Sequence, residues 1–343
     1  MISFRFIILV VNQFASGLII SNYSLVFILM LELTSVARTG LVGNLAFISF
    51  TIGEIIITLF AYVTRDWQKL KWAITTFISL GIPYLYFMPE SPLYYYARGE
   101  HVQLEELLRR IATVNNKKET DWYPCYQELL RHQPKKISKA TFLQKSYKLL
   151  CHRAGIIRLL ISALIGFTTL MLYVKFSYGL AVLDVSPYVG IIIGAIVEAA
   201  SYVTSSLLIS TKLGRKGSFI IMMILTILCI LLIPTAVKYS SIATICLAQF
   251  GKYAVSGATA ISWIFVPELF PTSVRSTANG FFIAISRFGA IATPIINASI
   301  NKDYLSYTFY ISSILASFVL LLSLILLPET KDKPMDDVHM TDI

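Results

Sequence analysis

The chain has 343 residues, of which 56% are hydrophobic and only 14% are charged, and its mean hydropathy is +0.70. Soluble domains carry about a quarter charged residues, so this composition excludes a water-soluble globular domain. The net charge of +10 would fit a nucleic-acid partner, but membrane topology explains the basic residues better.

Nine apolar runs are long enough to cross a bilayer, which takes about 20 apolar residues per helix. Lipid offers the backbone no hydrogen-bond partner, so each run is predicted to be a helix. The alternating segments of a membrane β-barrel are not visible. In chain order the predicted spans are residues 4–30, 40–63, 72–88, 156–176, 186–210, 218–237, 242–266, 278–298 and 305–327.

A basic segment at residues 98–158 separates the third span from the fourth. The positive-inside rule places it in the cytoplasm together with Arg38, Arg215 and Arg275, if the spans alternate strictly. Within it, residues 101–114 carry leucine and isoleucine at helical spacing, which predicts an amphipathic cytoplasmic helix.

No enzyme, metal or nucleotide chemistry is indicated. The four cysteines show neither a metal-binding spacing nor a disulfide pattern. The string Gly214–Gly217 is too short to cradle a phosphate and follows no predicted strand. We therefore predict a protein that is not an enzyme and holds no cofactor.

Two near-copies of one charged string divide the chain into related halves. Residues 32–39 resemble residues 268–277, and each string follows a long apolar run. Pro89-Glu90-Ser91 and Pro328-Glu329-Thr330 each close the second apolar run after their string. Matching marks at matching places indicate an internal repeat. In membrane proteins, two parallel repeats are typical of transporters whose substrate lies between the halves.

The second half carries a further mark, Leu213–Gly217, whose counterpart in the first half would lie before residue 1. The symmetry therefore predicts that three helices of a twelve-helix fold are absent. Either the chain is an incomplete or truncated product, or it works in an unusual way. The predicted domains are a partial N-terminal bundle at 1–88, a cytoplasmic linker at 89–155, a six-helix bundle at 156–328 and a cytoplasmic tail at 329–343.

These marks resemble the major facilitator superfamily, and specifically its organic cation, anion and carnitine transporter family. The resemblance runs from the fourth helix of that fold onward. It is carried by Phe4–Phe6, Pro89–Pro92, Phe176–Leu180, Gly251–Ser256 and Pro271–Arg275, followed by Gly280, Arg287, Gly289 and Pro294. It implies an all-helical two-bundle transporter with about nine of twelve transmembrane helices present.

One departure from the family and one competing family have to be weighed against this resemblance. The family's Asp-Arg-x-Gly-Arg-Arg loop stands here as Thr211–Lys216, so its acid is lost. Sugar porters share several of the marks, but the Gln-Gln and Asn-Trp signatures expected of them are absent. The sugar interpretation is therefore less favoured.

Charged residues inside spans are the candidates for a substrate site, because a charge near the bilayer centre costs at least ~2.5–3.5 kcal/mol. Five side chains qualify: Glu54, Lys175, Glu198, Lys252 and Arg287. Lys175 lies near the outer end of its span and is expected to snorkel. Glu54 is expected to face a partner on the missing helices.

Arg287 offers a planar fork that binds carboxylates with two hydrogen bonds. The family resemblance implies that an arginine here handles organic anions or carnitine. Alternatively it is a structural residue paired with Glu198 or with a helix C-terminus.

Glu198 sits among small residues that allow helices to approach closely. The resemblance implies a counter-ion for a cationic substrate; the alternative is an internal salt bridge to Lys252 or Arg287. Together an acid and an arginine would suit a zwitterion. Aromatic faces for an ammonium group, or simple packing residues, are Tyr173, Phe176, Tyr178, Tyr202 and Tyr253.

A second set of charges is predicted to form ion pairs between helices at the inner mouth. Such pairs would hold the outward-facing state and break on inward opening, or they would merely anchor loops at the membrane surface. The set comprises Arg215, Glu268, Arg275 and Glu329 in the second half and Glu32, Arg38 and Glu90 in the first.

The sequence thus predicts a multi-pass protein, expected in the plasma membrane, that moves a small organic ion by alternating access. An organic cation or a carnitine-like zwitterion is favoured, with organic anions as the alternative substrate class. The opposing hypothesis is a membrane protein that transports nothing and has a structural or regulatory role. The expected partners are the substrate, the bilayer and a co-transported ion, and no nucleic acid.

Overall fold

The structure is a computed structural model, and it describes residues 2–19, 21–34, 38–131, 153–181, 187–270, 272–300 and 304–330. These residues form fourteen helices, with no strand among them. The helices are α1 (Ile2–Ile19), α2 (Ser21–Glu32), α3 (Thr39–Thr64), α4 (Trp67–Leu80), α5 (Ile82–Phe87), α6 (Pro92–Arg98), α7 (His101–Val114), α8 (Glu119–Arg131), α9 (Arg153–Ala181), α10 (Pro187–Ser210), α11 (Gly214–Tyr239), α12 (Ser241–Glu268), α13 (Thr272–Ser299) and α14 (Leu305–Leu326).

Six helices of the described ranges are long and apolar enough to cross a bilayer. They lie in α3, α9, α10, α11, α13 and α14 and match six of the nine predicted spans. Five of them, α3, α10, α11, α13 and α14, expose large apolar side chains along their length, as a surface in contact with lipid requires, whereas α9 is mostly buried. The chain is therefore an all-helical, multi-pass membrane protein.

The other three predicted spans take a different form. Residues 4–30 fall on two helices, α1 and α2, and residues 72–88 fall on α4 and α5. Pro83 explains the second break, because its ring clashes with the carbonyl four residues earlier, in the last turn of α4. The span at 242–266 is one unbroken helix, α12, but its Gly, Ser, Thr and Lys residues make it less apolar than the six.

The chain divides into two compact units that do not follow the predicted halves. The first comprises residues 1–43 and 78–139, and the second comprises residues 44–77 and 140–343. Most of α3 therefore groups with the helices of the second half. The predicted domain boundaries stay a prediction.

In the second unit, α12 is the central helix. Every side chain from Ala254 to Val266 is buried. Glycines allow the neighbouring helices to pack this closely against α12. A Cβ on Gly251 would fall 2.1 Å from the Phe176 ring, and one on Gly257 would fall 2.8 Å from the Ser201 hydroxyl. Small residues at helix contacts are how membrane helices pack closely without a hydrophobic driving force.

Aromatic side chains bring α3 against the same central helices. The Phe47 ring lies 5.2 Å from the ring of Tyr202 on α10 and 6.1 Å from that of Trp263 on α12. Tyr62 packs at 5.5 Å against Tyr188 at the start of α10. These contacts flank Glu54, which lies between them on α3.

In the first unit, α7 confirms the amphipathic helix predicted at residues 101–114. Its apolar stripe is buried at Leu104, Leu107 and Ala112, while its opposite face is exposed. The Tyr126 hydroxyl of α8 donates to the carbonyl of His101 at 3.0 Å. The predicted linker continues through residues 132–152, which lie outside the described residues.

Candidate functional site

A buried ion pair joins α10 to α12. The Lys252 ammonium lies 3.3 Å from Oε2 of Glu198, and the two side chains are 3% and 0% exposed. Gly194, one turn before Glu198, makes room for the lysine, because a Cβ there would fall 2.8 Å from the Lys252 Nζ. The salt bridge given above as an alternative for Glu198 is thus present.

Two tyrosines hold the other oxygen of the Glu198 carboxylate. The Tyr173 hydroxyl of α9 donates to Oε1 at 3.0 Å, and the Tyr202 hydroxyl, one turn along α10, donates to the same atom. Hydrogen bonds to a charged acceptor are roughly twice as strong as neutral ones. Three helices therefore converge on one carboxylate.

Glu54 of α3 is the third ionic group of this cluster. It is near enough to Glu198 and Lys252 to interact electrostatically with both. Its charge also interacts with the Tyr173 hydroxyl. Its Oε2 atom is buried and has no hydrogen-bond partner among the described residues. The expectation that Glu54 faces a partner on the missing helices stays a prediction, but it did not include these neighbours. The sequence signal that singles out Glu54 is its position inside an apolar run. Which residues surround it depends on tertiary packing, which that signal does not contain.

Arg287 lies on α13 and is half-buried. Within the described part of the chain it has no ion pair, so the predicted pairing with Glu198 is not formed there. A substrate-binding role for Arg287 stays a prediction.

The remaining aromatic candidates differ in their surroundings. Phe176 is 2% exposed and its ring fills the space beside Gly251, so it packs inside the bundle. Tyr253 is half-buried, stacks at 5.8 Å on Phe250, and accepts a hydrogen bond from Ser201 through its carbonyl. The side chain of Tyr178 lies outside the described residues.

Lys175 does not snorkel, so that expectation is wrong. Its side chain is 5% exposed, and its ammonium donates to the Thr308 carbonyl at 2.6 Å and to the Thr308 and Ser312 hydroxyls at 2.9 Å. The ammonium also lies 4.5 Å from the centre of the Phe309 ring. Because the Lys175 ammonium is hydrogen-bonded to polar atoms of α14, the side chain does not extend to the membrane surface.

At the predicted cytoplasmic end of the second unit, an ion pair joins the start of α11 to the end of α12. The Arg215 guanidinium lies 2.7 Å from Oε2 of Glu268. The Thr330 hydroxyl donates to the same oxygen at 2.9 Å. Arg275 donates through Nε to the carbonyls of Pro267 and Phe270 and adds a second positive charge near Glu268.

Burial has the largest influence on the pKa of the Glu268 carboxyl. It raises the pKa of Glu268 to about 7, although Arg215, the Thr330 hydroxyl and Arg275 each act to lower it. Glu268 lies two residues beyond the predicted span, at its predicted cytoplasmic end. The carboxyl is therefore poised to titrate near neutral pH.

Glu329 caps the N-terminus of α11. Its carboxylate accepts hydrogen bonds from the backbone N–H groups of Arg215 at 2.9 Å and Lys216 at 3.0 Å. A negative charge at this position also complements the helix dipole. Gly214 permits the contact, because it has a φ of +68° and a Cβ there would fall 2.6 Å from the Glu329 carboxyl carbon.

The three gate candidates of the first half are exposed, and no ion pair joins them to other described residues. They are Glu32, Arg38 and Glu90, of which Glu90 accepts a hydrogen bond from the backbone of Ser91. Their gating role stays a prediction. No group of three metal-binding side chains forms in the described ranges.

Residues 2–341 match the sequence profile of a family described as "Sugar (and other) transporter". The chain belongs to this family. Its fold agrees: the proton:xylose symporter XylE superposes with a TM-score of 0.71, covering 91% of this chain and 69% of XylE, at 18% sequence identity. That identity supports the major facilitator fold alone.

Relatives of the family confirm the resemblance to organic cation, anion and carnitine transporters. Organic anion transporter 3 of Oryctolagus cuniculus is 28% identical over 346 residues, which cover 96% of this chain and 60% of that protein. Organic cation/carnitine transporter 2 of Homo sapiens is 28% identical over 333 residues, covering 93% and 56%. This family member therefore spans little more than half the length of these relatives.

Proposed function

We propose that this protein transports a small organic ion across the plasma membrane by alternating access, and that its substrate is an organic cation or a carnitine-like zwitterion. The observation that carries the proposal is the buried cluster formed by Glu198, Lys252 and two tyrosine hydroxyls. Family membership and the names of the relatives support transport as the activity.

Stability alone does not explain the buried cluster of Glu198, Lys252 and the two tyrosines. Desolvating two charges is expensive, and well-packed apolar residues of similar size often stabilise a fold as well or better. Inside membrane spans, ionic groups mark the path of a substrate or an ion. A binding role explains why α10 and α12 carry charges at the places where they meet.

The chemistry of the side chains favours a substrate with a positive centre. Tyr173, Tyr202 and Tyr253 offer ring faces on which an ammonium group gains about 0.5–2 kcal/mol each. Arg287, half-buried and without a described ion pair, suits the carboxylate end of a zwitterion. Phe176, although enclosed, completes the aromatic lining of our proposed site.

The cytoplasmic cluster supplies the gate of this proposal. Arg215, Glu268 and Thr330 tie three segments of one bundle together, and Glu329 fixes the start of α11. In our proposal these contacts, with Arg275, hold one state of the transport cycle and rearrange in the other. Glu32, Arg38 and Glu90 are assigned the matching role in the first half.

An organic anion is the second candidate substrate, and Arg287 is the observation that favours it. A guanidinium without a described ion partner can hold the carboxylate of an aromatic anion as well as that of a zwitterion. Lys252 would then contribute positive charge only if Glu198 released it, which makes this candidate second.

Uptake of three labelled probes into cells producing this chain tests the proposal. Tetraethylammonium, carnitine and an aromatic carboxylate represent the cation, the zwitterion and the anion. We expect saturable uptake of tetraethylammonium or carnitine above cells without the protein. Background uptake of all three, with the protein shown at the cell surface by labelling, would instead favour a membrane protein without transport activity.

A further inference from the structure

We propose that Glu54 binds one exchangeable positive charge, a proton when the site is empty and the ammonium group of the substrate when it is loaded. This inference rests on the proposed transport of a cation or zwitterion. It assigns the role of counter-ion to Glu54 rather than to Glu198, and it couples substrate binding to the release of a proton.

The charges of the cluster identify Glu54 as the uncompensated group. Glu198 and Lys252 form an ion pair at 3.3 Å and cancel each other. Glu54 is near enough to interact electrostatically with both: its carboxylate is attracted by Lys252 and repelled by Glu198. Two carboxylates and one ammonium leave a single negative charge. In a region without bulk water, such a charge calls for a proton or another cation.

Among the residues that the structure describes, the groups around Glu54 on the neighbouring helices do not remove this charge. From α9 comes the Tyr173 hydroxyl, which donates to Glu198. From α10 come Glu198 itself and Tyr202, whose hydroxyl also donates to Glu198. From α12 comes Lys252, which is paired. Both tyrosine hydroxyls therefore donate to Glu198, and the Lys252 ammonium forms its ion pair with Glu198.

Accessibility separates the two carboxylates. Glu198 is fully buried, with Oε1 holding two tyrosine hydroxyls and Oε2 facing the lysine. Glu54 is half-buried, and its Oε2, which is itself enclosed, has no hydrogen-bond donor among the described residues; Oε2 of Glu198 also has none, but it faces the Lys252 ammonium. A substrate ammonium would have to break an existing ion pair to use Glu198, whereas Glu54 offers a free acceptor.

The exchange is balanced in charge. The neutral carboxylic acid of Glu54 loses its proton to water as the ammonium group arrives, and the resulting carboxylate pairs with that ammonium. One positive charge enters the site and one leaves it. Because proton and substrate compete for one group, each lowers the apparent affinity of the other by the same factor.

Tetraethylammonium is the probe for the test, with the full chain purified and reconstituted in vesicles. As external pH falls from 7.5 to 5.5, we expect the KM for uptake to rise at least about fivefold, with little change in the maximal rate. Adding tetraethylammonium to the detergent-solubilised protein in weak buffer should release close to one proton per bound cation, followed with a pH dye.

Variants assign the effect to Glu54. In Glu54→Gln the KM should rise about tenfold or more at pH 7.5, lose its pH dependence, and proton release should vanish. Glu54→Asp should keep both, since it retains the titrating carboxyl. Glu128→Gln on exposed α8 is the matched control for removing a carboxylate and should behave as the parent chain does.

Each outcome decides the matter. Uptake with a pH-independent KM and no proton release overturns the exchange at Glu54 and leaves transport intact. Absence of tetraethylammonium and carnitine uptake at every pH overturns the proposed function, and this inference with it. If Glu54→Gln does not fold, proton release by the unaltered protein still supports or contradicts the exchange.

Discussion

At the scale of single residues, the pair of Glu198 and Lys252 makes each side chain depend on the other. Removing one partner leaves an uncompensated buried charge, which typically destabilises a protein by about 3–5 kcal/mol. We therefore expect Lys252→Met to lower the thermal unfolding temperature in detergent strongly. The double variant with Glu198→Gln should recover part of that loss.

The control for this cycle is Glu128→Gln, which removes an exposed carboxylate. Glu198→Gln alone completes the cycle, and a double variant whose loss equals the sum of the two single losses would show that the side chains are not energetically coupled.

Arg287 should set the sign of the preferred substrate. Replacing it by aspartate exchanges a carboxylate-binding fork for a second anion, so Arg287→Asp should shift uptake from the aromatic carboxylate and carnitine towards tetraethylammonium. A change in the uptake ratio of about tenfold corresponds to 1.4 kcal/mol of differential binding.

Arg287→Lys is the matched control for this change. It keeps the charge but loses the bidentate geometry, and we expect it to weaken carboxylate uptake without raising cation uptake. An unchanged ratio in Arg287→Asp would remove the residue from the site.

Residue-level features could be predicted where one unusual observation sufficed. A charge inside an apolar run is rare, and this rule alone selected Glu198, Lys252, Glu54 and Arg287. It did not identify their neighbours, because Glu198 has Lys252, Tyr173 and Tyr202 around it only through the packing of three helices. Lys175 was misjudged for the same reason, since its acceptors lie on α14.

At the scale of elements, the cap on α11 offers a local test. Removing the carboxylate of Glu329 leaves the N–H groups of Arg215 and Lys216 without their acceptor, at an expected cost of about 1–2 kcal/mol. Glu329→Ala should therefore increase hydrogen exchange in the first turn of α11, measured by mass spectrometry.

Peptides from the middle of α11 and from α7 are the internal controls and should exchange as before. Gly214→Ala should produce a similar local change by a different route, because it places a Cβ against the same carboxylate and forces a left-handed φ on alanine. Unchanged exchange in both variants would mean that water replaces the cap without loss.

Helix positions followed from composition wherever a span was both long and uniformly apolar, as in α3 and α9 to α11. Breaks were harder to predict. Residues 72–88 read as one apolar run, yet Pro83 divides it into α4 and α5. The amphipathic α7 was predictable because its period is helical and its surroundings are polar.

At the scale of the whole molecule, the internal repeat predicted relatives with more helices than this chain has, and the relatives are indeed longer. It could not predict how the chain divides in space. Sequence repeats record related segments, whereas compact units depend on contacts, and most of α3 shares its contacts with the second unit. The electrostatic interaction of Glu54 with Lys252 depends on this grouping.

The pKa of Glu268 makes stability of the whole protein depend on pH. Burial raises that pKa from 4.5 to about 7, so between these values the folded state binds a proton that the unfolded state has released. Stability should therefore fall as pH rises from 5.5 towards 7 and level off above it, by about 2 kcal/mol in total. Below pH 7 the protonated carboxyl also weakens its ion pair with Arg215.

Thermal unfolding of Glu268→Gln measures this contribution. The amide mimics the protonated acid at every pH, so the variant should lose fewer degrees between pH 5.5 and pH 8 than the parent chain. Glu128→Gln is again the control, because its carboxylate is exposed. Equal pH dependence in the parent chain and Glu268→Gln would mean that Arg215 and Arg275 outweigh burial, and that the pair stays ionised throughout this range.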